Sequence, residues 1–225
     1  MRWELLKERR TKGCVSGYIG APFSGKTTFA SQFPGAKIIS TDGNAEGLFK
    51  KEDIIRVRNY KDLENAISEL KKNSPEWLVI DVIDYLYDIC RTYVLDKNNV
   101  EDEGDIPYRG YKMVRQFFWG VITKISNLCD NIIFISHEDV TTEKNKFGRE
   151  ITNYVPKFES KMLTQMTGIM TVVGRCLKET SEKNDSAYVL RIGHNDNEVG
   201  GTRFKLKETQ IPQGYDNFMN NIVKE

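Results

Sequence analysis

Apolar and polar positions follow two rhythms along this chain, and the switching between them predicts its architecture. Residues 15–19 (VSGYI), 36–40 (AKIIS), 77–81 (WLVID) and 131–135 (NIIFI) are short apolar runs of buried-strand type, with 54–58 (IIRVR) a further candidate. Between them, apolar residues recur at helical spacing. A helix is predicted over 28–33, stopped by Pro34-Gly35. Another spans 62–72, burying Leu63, Ala66, Ile67 and Leu70, with Asp62 at its start and Lys71-Lys72 at its end. Helices are also predicted over 83–95 and over 111–129, where Val114, Phe117, Phe118, Val121, Ile122, Ile125 and Leu128 form one broad face. Polar stretches 96–110 and 138–153 read as long loops, which inside a domain are usually functional or mobile. A short helix near 158–167 precedes three late strands, 169–173, 188–192 and 203–207, expected to be antiparallel. Residues 1–12 form a basic lead-in, and the tail 208–225 carries no interpretable motif. Alternating strands and helices predict a three-layer α/β fold with a mostly parallel sheet, one domain spanning 1–225. Ligands of such sheets bind beyond the carboxyl ends of the strands.

Composition narrows the class. At 225 residues, 29% charged and 39% hydrophobic, the chain reads as a soluble globular protein with a substantial core. Its longest apolar runs are too short to span a bilayer, and the N-terminal residues lack a signal peptide's apolar centre. Cys14, Cys90, Cys129 and Cys176 are scattered without a C-x-x-C pair, which predicts thiols in a reducing, cytoplasmic setting rather than zinc or disulfides. The net charge of +1 gives no global attraction to nucleic acid, so such binding has to rest on local basic patches.

One stretch carries specific chemistry. Gly20-Ala21-Pro22-Phe23-Ser24-Gly25-Lys26-Thr27 fits the phosphate-binding loop pattern G-x-x-x-x-G-K-[ST], with Thr28 a second hydroxyl behind it. The glycines let successive backbone N–H groups converge on phosphate oxygens. Lys26 supplies a mobile positive charge for the β- and γ-phosphates, and Thr27 an oxygen for Mg²⁺. The predicted strand before the loop and helix after it are the context the motif needs, and the helix start favours an anion. The bland alternative is a glycine turn with an incidental lysine.

Polar residues at other strand ends complete a candidate site. Asp81 closes an apolar strand and fits the carboxylate that holds Mg²⁺ opposite Thr27; nearby Asp84 competes, or caps the following helix. Asp42 closes the strand after the loop helix and is the first candidate to orient the attacking water, with Glu46 second. Asp-Gly is also a frequent turn pair. His137 ends the strand beyond the one carrying Asp81, as a γ-phosphate sensor or simply a hydrogen-bonded histidine; Ser136 and Glu138 flank it. His194 sits in a polar turn and carries no signal.

Further candidates concern partners. Lys144, Lys146, Phe147 and Arg149 put cations beside an aromatic, which suits single-stranded nucleic acid; a solvated hairpin is the competing reading. Arg191, Arg203 and Lys205 in the late strands are candidates for a cation reaching a neighbouring subunit's nucleotide, or ordinary charges guarding strand edges.

Taken together, Tyr18-Ile19-Gly20 through Thr27-Thr28-Phe29-Ala30, Ser40-Thr41-Asp42-Gly43, Leu78-Val79-Ile80-Asp81-Val82-Ile83-Asp84 and Phe134-Ile135-Ser136-His137-Glu138 resemble the phage-type nucleotide-binding proteins of the RecA-like ATPase group. The similarity covers about residues 14–140, and Tyr108-Arg109-Gly110-Tyr111 before a long helix is similar too. It implies a RecA-like core binding ATP and Mg²⁺, with Asp42 at the catalytic carboxylate position and His137 at the phosphate sensor. It further implies single-stranded DNA facing the following loop, a homo-oligomer with nucleotide between subunits, and a single-strand-binding protein as partner in recombination or annealing. Two departures stand out: Asp42 occupies a position that is usually Glu, and Ser136-His137 a position where recombinases commonly carry glutamine. The competing functions are a P-loop kinase acting on a small molecule or nucleoside, and an adaptor that binds nucleotide without useful turnover.

Overall fold

The structure is a computed structural model that describes residues 13–144, 148–157, 160–180, 185–193 and 198–223. The lead-in 1–12, Lys146, Phe147 and His194 lie outside the described residues. In chain order the elements are β1 (Val15–Gly20), α1 (Lys26–Ala30), β2 (Ala36–Ser40), β3 (Ile54–Arg56), α2 (Tyr60–Lys72), β4 (Trp77–Asp81), α3 (Ile83–Asn98) and α4 (Gly110–Ser126). There follow β5 (Ile132–Lys144), β6 (Glu150–Pro156), α5 (Ser160–Ile169), β7 (Val172–Thr180), β8 (Ser186–Arg191), β9 (Gly201–Thr202), β10 (Gln210–Pro212) and α6 (Tyr215–Asn221).

The main sheet runs β10-β8-β7-β1-β5-β4-β2-β3. From β3 to β7 every neighbouring pair is parallel; β8 and β10 add an antiparallel edge. The strands' period-two alternation sorts their side chains onto two faces. Ile39, Leu78, Ile80, Ile132 and Phe134 pack under α2, α3, α4 and α5. Ile38, Val79, Ile133 and Ile135 face the other way and pack with Phe29 and Phe33 of the loop-helix region and Phe218 of α6. The predicted three-layer α/β architecture is therefore present, with the antiparallel strands late in the chain. Among the described residues, no helix is long and apolar enough to cross a membrane.

Three local expectations are corrected. The stretch 96–110 is not an open loop. Helix α3 continues to Asn98, Glu103–Asp105 form a 3-10 turn, and buried Glu103 pairs with Arg91 at 3.2 Å while Ile106 joins Val94, Leu95 and Val114 in a small core. Most of the described part of 138–153 is strand rather than loop: β5 runs on to Lys144 and pairs antiparallel with β6, from Glu138↔Pro156 to Lys144↔Glu150. Val140, Thr141 and Thr142 against Ile151, Thr152 and Val155 are β-branched residues, whose strand preference outweighs the polar composition. Lastly, β7 starts at Val172, and its first residues are parallel to β1 (Ser16↔Val172 to Ile19↔Arg175); only its pairing with β8 and β9 is antiparallel. Residues 203–207 form no strand. Arg203 instead donates to the carbonyls of Gly168 (2.7 Å) and Met170 (3.1 Å), and the chain then pairs with the end of α6 through Lys207 N–H to Asn221 O at 2.9 Å. The uninterpreted tail supplies β10 and α6.

Candidate active site

The register brings the predicted strand-end residues to one edge. Gly20 lies opposite His137, Ser40 opposite Asp81, and Asp81 opposite Ile135. Between β1 and α1 the chain turns with Phe23 at φ 63° and Gly25 at φ 86°. Gly25 is required twice over: its left-handed backbone strains any other residue, and a Cβ there meets Gln213 Oε1 at 2.5 Å. Lys26 is buried, and its ammonium donates to Gly20 O and Ala21 O, both at 2.8 Å, so it spans the mouth of the loop. Burial lowers its pKa, opposed by Cys176, Asp81, Glu138 and Asp84. Buried Ser24 keeps a hydroxyl with no hydrogen-bond partner among the described residues. Such a loop, with a desolvated cation and an unsatisfied donor, fits a phosphate chain.

At the end of the loop, Thr27 Oγ1 donates to Asp81 Oδ2 at 2.7 Å. Asp81 is 1% exposed, and burial pushes its carboxyl up to about 6, with Asp42 adding to the rise and Thr27, Lys26 and His137 opposing it. Two hard oxygen donors side by side are the partial set that Mg²⁺ accepts when phosphate oxygens and water complete its shell. The residues present therefore fit the ion.

Asp42 is near enough to act on Asp81, yet its carboxylate is also engaged locally. Oδ1 accepts from Asn44 N–H at 3.0 Å and Oδ2 from the Asn44 amide at 2.9 Å, the turn-forming pattern of an Asp-Gly pair. Glu46 points into an ion pair with exposed Arg56. Asp84 is not a helix cap; it is buried and pairs with His137.

Several participants carried no signal in the sequence. Arg175 on β7 makes a bidentate pair with Glu138 (2.6 and 3.1 Å), reaches Glu198 at 2.6 Å, and lies over the Tyr154 ring at 3.5 Å. Burial alone lowers the Arg175 pKa, and the two glutamates outweigh it, so the net shift is upward. Arg191 donates to Glu198, Glu179 and Gln210, and Arg203 to backbone carbonyls, so both guanidinium groups are committed inside this chain. Lys205 is exposed. On the C-terminal segment, Gln213 Nε2 donates to Ser24 O at 2.8 Å and to Val189 O at 3.1 Å.

Of the candidate nucleic-acid residues, Lys144 and Arg149 lie on the β5–β6 hairpin, among Asp139, Glu143 and Glu150, so that surface is mixed in sign. On a different surface the described charged lining residues are all cations. A groove of about 600 Å³ between α4 and α5 is lined by Lys112, Arg115, Gln116, Trp119, Lys161 and Gln165. Neither helix contains an Asp or Glu.

A family model described as an AAA domain (AAA_24) matches residues 15–204. The chain belongs to this AAA-domain family. No curated protein matches the sequence. Among solved structures, a KaiC-like protein from Pyrococcus horikoshii aligns at 14% identity and TM-score 0.50, covering 89% of this chain and 85% of that one. The flagellar accessory protein FlaH from Methanocaldococcus jannaschii aligns at 12% identity and TM-score 0.43, covering 95% of this chain and 90% of that one. With the family match and the likeness to the KaiC-like protein, the AAA-domain chain has the RecA-like P-loop NTPase fold. Its family match spans the phosphate loop, Asp81, the hairpin and Arg175, and ends before Gln213 and α6.

Proposed function

We propose that this protein is a Mg²⁺-dependent ATPase whose nucleotide state is coupled to single-stranded DNA. The observation that carries the ATPase reading is the Thr27–Asp81 hydrogen bond at 2.7 Å, one residue along from the Lys26 that bridges the loop. Backbone N–H groups of the loop hold the phosphates, Lys26 neutralises their charge, and Thr27 and Asp81 hold the ion. Bound Mg²⁺ supplies Lewis-acid stabilisation of the transferring phosphoryl group. Asp42, just beyond β2, and His137, on β5, address the attacking water and the terminal phosphate from either side of β4.

The groove between α4 and α5 supports the DNA half of the reading. Lys112, Arg115 and Lys161 match a phosphate backbone, Trp119 offers a stacking surface, and Gln116 and Gln165 offer amides to base edges. With the strand lying in this groove, Lys144 and Arg149 of the hairpin are secondary contacts. Such coupling suits annealing or recombination by a homo-oligomer. ATP hydrolysis measured with and without single-stranded DNA tests both halves. Stimulation by DNA, lost in Lys112→Glu/Lys161→Glu, is expected. Phosphoryl transfer to an added small-molecule acceptor without any DNA response would overturn the proposal in favour of a kinase, and ATP binding without turnover would leave an adaptor.

A further inference from the structure

Midway along β5 the chain passes from one partner to another: His137 is the last residue paired with β1, and Glu138 the first paired with β6. At this point Asp84, from the first turn of α3, grips His137 twice. Its Oδ1 accepts the His137 backbone N–H at 3.2 Å, and its Oδ2 lies 2.6 Å from the ring Nδ1. Asp84 is 6% exposed, whereas the His137 side chain retains 27% exposure beside the Tyr85 ring, 5.6 Å between centroids. A carboxylate accepts and cannot donate, so this contact places a ring proton on Nδ1, and in the neutral imidazole the lone pair is then on Nε2. The pair stands at the loop: His137 is level with Gly20, and Asp84 lies within electrostatic reach of Lys26, as His137 does of Asp81.

We propose that His137 Nε2 accepts the proton of the attacking water and that Asp84 is the positioning residue that holds the ring in the accepting tautomer. This rests on the ATPase reading. The water oxygen bonds to the terminal phosphorus while the bond from that phosphorus to the bridging oxygen breaks. The electron pair of the broken bond stays on the diphosphate, and the water proton passes to Nε2. Asp42, already bonded twice by Asn44, then orients the water rather than taking its proton. A phosphate sensor makes the opposite demand on the ring, because it has to donate from Nε2.

The test has a readout that needs no turnover. The chain contains only two histidines, so ¹⁵N-histidine spectra of the nucleotide-free protein can assign the His137 tautomer. In Asp84→Asn the backbone N–H keeps the amide oxygen, the amide nitrogen turns to Nδ1, and the proton is expected to move to Nε2. Turnover is expected to fall about 100-fold in Asp84→Asn and in His137→Gln, the typical scale for losing a general base, with ATP affinity unchanged within about twofold in both. Added imidazole is expected to restore part of the turnover of His137→Gly. Wild-type turnover in His137→Gln would overturn the proton-acceptor role and leave a hydrogen-bonding sensor. An unchanged tautomer in Asp84→Asn would overturn the positioning role alone, whereas a wild-type chain that binds no ATP would overturn the ATPase reading itself.

Discussion

Gln213 holds the carbonyl of Ser24 at 2.8 Å, joining the phosphate loop to a residue 189 positions further along the chain. The same amide reaches Val189 O, and Gln213 N–H donates to Tyr188 O at 2.9 Å, so the loop is tied to the antiparallel edge of the sheet. Phe218 of α6 reinforces the link, with its ring 6.3 Å from Phe29 and 6.1 Å from Phe33. The loop is braced from outside before any nucleotide arrives, which reduces the ordering cost of binding. Gln213→Met keeps the bulk and removes both side-chain donors, each worth about 1 kcal/mol net. We expect ATP affinity about 5- to 10-fold weaker, on the same hydrogen-bond scale, with turnover at saturation retained. Titration with a fluorescent nucleotide checks this, and unchanged affinity would show that the brace is incidental.

Lys26→Ala removes the cation that bridges Gly20 O and Ala21 O and that faces the phosphates. Loss of detectable ATP binding is the expected outcome, with the melting temperature of the nucleotide-free protein little changed. Isothermal titration checks it; wild-type affinity would contradict the phosphate-loop assignment.

Asp81 sets a pH dependence of opposite sign to that of a salt-bridged carboxylate. Burial raises its carboxyl from the ordinary 3.8 to about 6. The folded metal-free protein therefore binds this proton more tightly than the unfolded chain does. The stabilisation is complete below pH 3.8 and is lost as pH rises through about 6. Asp81→Asn is expected to be more stable than wild type at pH 7.5 without Mg²⁺, by an amount on the order of 1–3 kcal/mol. Mg²⁺ needs the ionised carboxylate, so the melting-temperature gain from Mg²⁺-ATP is expected to fade below about pH 6. Thermal melts across pH 5–8, with and without Mg²⁺-ATP, would expose a wrong sign directly.

Legibility in the sequence follows the range of the determining contacts. Strands β2 and β4 fall on the expected residues because a continuous apolar run bounded by polar residues specifies a buried strand locally. That Thr27 and Asp81 meet is legible for the same reason, each ending or following a strand whose direction the βα alternation dictates. The hairpin was obscured because its β-branched residues are diluted by Glu138, Asp139, Glu143 and Lys144. Glu138 is in fact held by Arg175, a contact fixed by which strand lies beside β1, and no local pattern encodes that. Gln213 and Asp84 are similar cases, meaningful only once sheet register and helix placement are known.

The groove between α4 and α5 predicts a salt-dependent interaction. Replacing Lys112 and Lys161 by Glu removes two cations and adds two anions to a surface where neither helix has a carboxylate. Affinity for single-stranded DNA is expected to fall more than 10-fold at 50 mM salt, and the slope of log affinity against log salt to drop by about 1.4, or 0.7 per lost phosphate contact. Trp119 quenching on titration with oligonucleotide provides the readout, with Trp119→Phe as the control. Equal losses on mutating Lys144 and Arg149 alone would move the interface to the hairpin.

The Arg175 cluster carries the largest predicted stability effect. The Arg175 side chain is 10% exposed, and its two partners, Glu138 and Glu198, are 7% and 5% exposed. Arg175→Met leaves Glu138 without its bidentate partner and Glu198 with Arg191 alone. Removing one member of a buried ion pair costs about 3–5 kcal/mol, mostly because the remaining charge is left desolvated. For a chain of this length that lowers the melting temperature by roughly 6–20 °C. Glu138 begins the pairing with β6, so hydrogen exchange is expected to rise in the β5–β6 hairpin more than in β4 or β2. Replacing all three residues with apolar side chains, Arg175→Met with Glu138→Leu and Glu198→Leu, removes the stranded charges and is expected to recover part of the loss. If the single Arg175→Met variant melts within 2 °C of wild type on the same stability scale, the cluster contributes little to stability.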